Sequence, residues 1–155
     1  MTASPRVSST FHTGVTVSDL DRSMAFYREV LHCEVSDKVT PNQVFIAEVT
    51  GIDDPELELA YVTAPGHTIE LLCFGKGRAR AASRLRPCDP GFLHLAFVVD
   101  DLDATLDAAA AMGVTPVHAP TLIETGPRKG WRACYTRDPD GVVLELIEMA
   151  SSNAS

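Results

Sequence analysis

Polar and apolar positions alternate through the first ordered-looking stretch: Phe11, Thr13, Val15 and Val17 on one side, His12, Gly14 and Thr16 on the other. That is the period of a strand. Ser18 or Asp19 then offers an N-cap. Leu20, Met24, Phe26, Tyr27 and Leu31 follow at mainly three-to-four-residue spacing, which predicts an amphipathic helix ending near His32. Val44 to Val49, Leu57 to Val62 and Thr68 to Phe74 read as three further strands, divided by turn chemistry at 51–55 and at Pro65-Gly66. The order is βαβββ.

The pattern then restarts. Residues 75–91 read as a linker, basic in character and closed by Pro87 and Pro90. Phe92 to Val99 is a strand, Asp101 to Met112 an Ala-rich helix stopped by Gly113, and Val114 to Val117 and Trp131 to Thr136 are strands. Asp138-Pro-Asp-Gly141 is a turn, and Val142 to Glu148 closes the second βαβββ unit. The expected fold is α+β, with two paired βαβββ modules (11–74 and 92–149) forming a curved mixed sheet around a shared site in one domain, 11–149. Residues 1–10 read as a disordered lead-in and 150–155 as a polar tail.

The two units also share a motif. His12-Thr-Gly-Val-Thr-Val-Ser-Asp-Leu-Asp21 returns 82 residues on as His94-Leu-Ala-Phe-Val-Val-Asp-Asp-Leu-Asp103. Each copy is followed at long range by an acid inside an apolar strand: Ile69-Glu70-Leu71-Leu72, then Leu144-Glu145-Leu146-Ile147. A lone His on a strand is usually a hydrogen-bonded structural residue, and a lone Glu usually faces solvent. An unpaired carboxylate among such apolar neighbours is costly, however, and needs a cation or strong donors. Matched positions in both halves make coincidence a poor account. His12, Glu70, His94 and Glu145 are therefore candidate ligands of one divalent metal ion, with Zn, Ni, Co, Mn and Fe all compatible with imidazole and carboxylate donors. Two open positions on a six-coordinate ion would accept a substrate with vicinal oxygens. The ion would stabilise an enediolate-like charge, and Glu145 or Glu70 could leave it to act as catalytic base.

Composition narrows the setting. In 155 residues the net charge is −8, against nucleic acid and anionic membrane as partners. Cys33, Cys73, Cys88 and Cys134 form no CxxC pair and read as free thiols. The N-terminus lacks an apolar signal region, and no apolar run reaches membrane-spanning length, so a cytoplasmic protein is expected.

The paired modules, the His-x4-Val-x-Asp-Leu-Asp openings, Phe26-Tyr27, Ile69-Glu70-Leu71 and Asp138-Pro-Asp-Gly-Val-Val-Leu-Glu-Leu146 resemble the vicinal oxygen chelate superfamily. That group includes glyoxalase I, methylmalonyl-CoA epimerase, extradiol dioxygenases and the fosfomycin and bleomycin resistance proteins. The resemblance covers residues 11 to 149 and implies His12, Glu70, His94 and Glu145 as its four ligands. Glyoxalase I also carries an Arg four residues after the first His and an Asn four after the first Glu, for glutathione. Here those positions are Thr16 and Phe74. The epimerase usually has Gln where this chain has Glu70, and the dioxygenases use two His and one carboxylate. The implied function is a divalent-metal-dependent lyase or isomerase of the glyoxalase/epimerase type that chelates its substrate through two oxygens and does not act on glutathione adducts. An Fe(II) extradiol-type dioxygenase and a small-molecule binding or resistance protein are the alternatives. A homodimer is expected, its sites closed within one chain or across two.

Other residues carry weaker signals. Gly126-Pro-Arg-Lys-Gly-Trp-Arg132 combines three cations with the single Trp, so Arg128, Lys129, Trp131 and Arg132 are candidate substrate contacts. A basic surface loop explains them equally well. Glu48 is a candidate second base in a strand. Tyr135 and Phe45 read as core before pocket. His32, His67 and His118 read as surface.

Overall fold

The computed structural model describes residues 6–75 and 85–151. The expected lead-in over 1–5, most of the linker and the last residues of the tail lie outside them. The first module runs β1 (Thr13–Thr16), α1 (Leu20–Glu29), β2 (Glu34–Val35), α2 (Gln43–Thr50), β3 (Leu57–Ala64) and β4 (His67–Phe74). The second runs β5 (His94–Val99), α3 (Leu102–Ala111), β6 (Thr121–Leu122), β7 (Arg132–Arg137) and β8 (Val143–Glu148).

Each module builds a four-stranded mixed sheet, ordered β1-β4-β3-β2 and β5-β8-β7-β6. The first strand of each pairs in parallel with the last, and the other contacts are antiparallel. The α+β architecture and the internal repeat are thus realised strand for strand. Equivalent caps reinforce it. Asp19 accepts from the Arg22 amide at the start of α1, and Asp101 from the Ala104 amide at the start of α3. The repeated Asp-Leu-Asp is a helix start in both halves. At the β3–β4 turn Pro65 presets its own φ, and Gly66 takes φ +76°, which only glycine adopts without strain.

Two expected strands differ. Residues 44–49 form helix α2, because the Asn42 side chain accepts from the Val44 and Phe45 amides and Gly51 closes the other end at φ +70°. Caps at both ends outweigh the β-branched residues between them. Glu48, Val44 and Phe45 are consequently exposed, not buried in a sheet. Residues 114–117 are not a strand. Val117 makes a single bond to the Tyr135 carbonyl, and Thr121–Leu122 supplies the edge strand instead.

The core binds the two modules together. Phe26 and Tyr27 of α1, both fully buried, pack with Val15, Val62, Ile69 and Leu71 of the first sheet and with Ala109, Val114 and Leu144 of the second module. A further cluster joins Leu102 and Leu106 of α3 to Cys134 and Leu146. Polar contacts cross the same junction. The Tyr27 hydroxyl donates to Asp138 Oδ2 (3.4 Å), and Ser18, Arg22 and Ser23 all donate to Asp140. Burial pushes the Asp138 carboxyl above the usual carboxylate range, against the pull of backbone amides that donate to it. Among the described residues no helix is long and apolar enough to cross a membrane.

Candidate metal half-sites on two sheet faces

Strand alternation sorts the side chains. In β4, Ile69, Leu71 and Cys73 face the core, which places Glu70 and Leu72 on the opposite face. In β8, Leu144 and Leu146 face the core, which places Glu145 on the opposite face. The parallel register sets Gly14 beside Glu70 and Ala96 beside Glu145, so each small neighbour leaves its carboxylate room. His12 lies two residues before Gly14, and His94 two before Ala96, on those same faces.

The result is a matched pair of contacts. His12 Nε2 lies 3.1 Å from Glu70 Oε2, and His94 Nε2 lies 3.1 Å from Glu145 Oε2. All four side chains are partly buried. Among the described residues, no three His, Cys, Asp or Glu side chains converge. The four expected ligands therefore come as two pairs, one per module, and are not gathered at one point of the chain. The core joins the helix-covered faces of the two sheets, so both pairs lie on the faces turned away from it.

The donor set suits a divalent cation. It offers two imidazole nitrogens and two carboxylates whose negative charges together balance a divalent ion, and the thiols of Cys73 and Cys134 are buried on the core side of their sheets. His12 Nδ1 is buried without a hydrogen-bond partner among the described residues.

A tyrosine stands across from each Glu, and among the described residues only the first bonds to it. Tyr61 stands directly across the β3–β4 ladder from Glu70, and Tyr135 across the β7–β8 ladder from Glu145. The Tyr61 hydroxyl donates to Glu70 Oε1 at 2.9 Å. That bond, with burial and the carboxylate charge, pushes its phenol up, so the proton stays on Tyr61. The Tyr135 ring packs on His94 at 5.3 Å between centroids. From the sequence Tyr135 reads as core before pocket, and Tyr61 carries no signal of its own. Counting outward from the Pro65-Gly66 turn would have found Tyr61 opposite Glu70.

The expected substrate contacts divide. Arg128 and Lys129 are exposed, and the Arg128 guanidinium sits 5.6 Å over the Trp131 ring. Arg132 shares the core-side face of β7 with Cys134, opposite the face of Tyr135. Its guanidinium binds both Asp103 oxygens at 2.8 Å and reaches Glu148 at 3.6 Å. The structure thus ties Arg132 to α3 and β8 and turns it away from the His94–Glu145 face. His67 is half-buried and bonds Thr13 Oγ1 at 2.9 Å, whereas His32 and His118 are exposed as expected.

Known proteins share this architecture. Residues 10–146 match the model of the Glyoxalase/Bleomycin resistance protein/Dioxygenase superfamily, and the chain belongs to that family. It is 31% identical over 150 residues to a probable lactoylglutathione lyase of Vibrio parahaemolyticus, covering 92% of each chain. It is 28% identical over 149 residues to 2-epi-5-epi-valiolone epimerase of Actinomyces sp., covering 94% of this chain and 81% of the relative. A glyoxalase family protein from Bacillus cereus superposes with a TM-score of 0.80 at 23% identity, covering 97% of this chain and all of that one.

Proposed function

We propose that the protein is a divalent-metal-dependent lyase or isomerase acting on a small molecule with vicinal oxygens. Its site would be completed by a second copy of the chain: His12 and Glu70 of one subunit facing the second-module pair of the other. The observation that carries this reading is the duplication of one His–Glu contact, 3.1 Å in each module, on two separate sheet faces. Each pair supplies half of a four-ligand set, and neither is near a third ligand among the described residues. The relationship to a lyase and an epimerase supports proton-transfer chemistry.

A bound divalent ion would polarise the substrate oxygens and offset negative charge as it develops. Within that site Glu145, held through one oxygen by His94, is the group to take and return the proton beside the substrate carbonyl. Thr16 and Phe74 occupy the positions where a glutathione-binding member has Arg and Asn. Thr16 is exposed on the face of Glu70, and Phe74 follows four residues on along the same strand face, so this wall holds a hydroxyl and an aromatic ring where such members hold a cation and an amide. That favours a smaller, less acidic substrate than a glutathione adduct.

The test uses two double variants, H12A/E70A and H94A/E145A, purified separately and then refolded together. Neither alone should hold divalent metal. A mixed dimer should recover one of its two sites, so random pairing should restore about a quarter of the wild-type metal per chain to the mixture, measured by elemental analysis. Failure of the mixture to recover metal while the wild type is loaded would refute closure across two chains. A wild type that takes up none on reconstitution would refute the metal reading itself.

A further inference from the structure

The two halves match in strand order, in the His–Glu contact and in the tyrosine across from each Glu, yet the tyrosines are used differently. In the first module both carboxylate oxygens of Glu70 are engaged: Oε1 by the Tyr61 hydroxyl at 2.9 Å, and Oε2 opposite His12 Nε2 at 3.1 Å. In the second module the contact to Glu145 is at Oε2, from His94 at 3.1 Å. The Tyr135 hydroxyl makes no hydrogen bond to Glu145 among the described residues, and its ring leans on His94 instead.

We infer that Tyr61 is a positioning residue that sets the Glu70 carboxylate for metal ligation, leaving Glu145 the only one of the two free to swing. The inference rests on the metal reading above. The physical basis is side-chain freedom. A glutamate has several rotatable bonds, and a cation that binds it must freeze them. Tyr61 grows from β3, the strand hydrogen-bonded to that of Glu70, and its register partner is Glu70 itself. Its hydroxyl is therefore held at a fixed height above the sheet and restrains Oε1 before any ion arrives, directing Oε2 toward His12. Partners of this kind orient ligands at metal sites generally. Glu145 lacks such a tether and keeps the freedom that a base needs in order to leave a cation, take a proton and return. The pseudo-symmetric halves thus become chemically unequal through one hydroxyl.

The experiment compares wild type, Y61F and Y135F as full-length proteins. Each is titrated with Zn²⁺ against a chromophoric chelator, and the near-ultraviolet tyrosine difference spectrum is followed on loading. Y61F keeps the ring and its packing, and thermal melting of the metal-free proteins verifies folding. Y61F should bind Zn²⁺ about 10–100-fold more weakly. Y135F should bind as the wild type does. Loading should perturb a tyrosine band in wild type and Y135F that is missing in Y61F. Wild-type affinity in Y61F, or equal losses in both variants, would overturn the assignment while leaving the metal reading intact. Absence of Zn²⁺ binding by the wild type would remove both.

Discussion

Tyr27 offers a direct test of what holds the two modules together. Its ring is fully buried at the junction, and its hydroxyl donates to Asp138 Oδ2 at 3.4 Å. Asp138 is itself only 3% exposed, and its Oδ1 accepts from the Asp140 and Val142 amides at 2.9 Å. Tyr27→Phe keeps the ring and removes one donor. Hydrogen bonds to charged groups contribute about 1.5–3 kcal/mol. At 3.4 Å this one lies beyond the usual O–H···O range, so about 1 kcal/mol is expected. For a chain of this size that corresponds to a fall in melting temperature of roughly 2–4 °C. Tyr27→Ala, which also empties the core, should cost about 3–5 kcal/mol by analogy with other buried aromatics. Urea melts of Y27F, D138N and the double variant supply the assay, and the cycle isolates the pair. Additivity of the two single changes within about 0.5 kcal/mol would refute the coupling. Equal costs for Y27F and Y27A would show that the hydroxyl, not the ring, dominates, against the packing described above.

Two further outcomes follow from the geometry. Because burial raises the Asp138 carboxyl, its protonated form favours the folded chain. That contribution is complete below the ordinary carboxylate value and is lost as pH rises through the raised one. The melting temperature of D138N should therefore gain on that of wild type as pH climbs from about 4 toward neutrality, and the opposite slope would contradict the assignment. R132A removes the fork to Asp103 and the contact to Glu148 on the core side of β7. It should lower thermal stability slightly and leave Zn²⁺ affinity at the wild-type value, whereas a large loss of metal affinity would place Arg132 in the site.

Much of this arrangement was legible in the chain. The repeat of His12–Asp21 at His94–Asp103 announced two equivalent modules, and the acids embedded in Ile-Glu-Leu-Leu and Leu-Glu-Leu-Ile marked the strand positions that the structure sets beside His12 and His94. Both are local signals: strand period fixes which face a residue takes once its neighbours are known. The misreading of 44–49 has a local cause too, since the capping by Asn42 and Gly51 competes with a β-branched run and wins. Arg132 read as a candidate substrate contact because a cation near a glycine-rich loop resembles one. Its partner Asp103 lies on α3, which only the packed helix brings within reach.

The sequence by itself thus determined the modules, the helix starts and the identity of four candidate ligands, because these depend on spacing along one strand or turn. Only the tertiary structure decided how these four residues are grouped. Cross-strand register put a tyrosine opposite each Glu, and packing of α1 between the modules turned the His–Glu faces outward in separate pairs. Those outcomes depend on contacts between residues far apart in the chain, and periodicity carries no information about them.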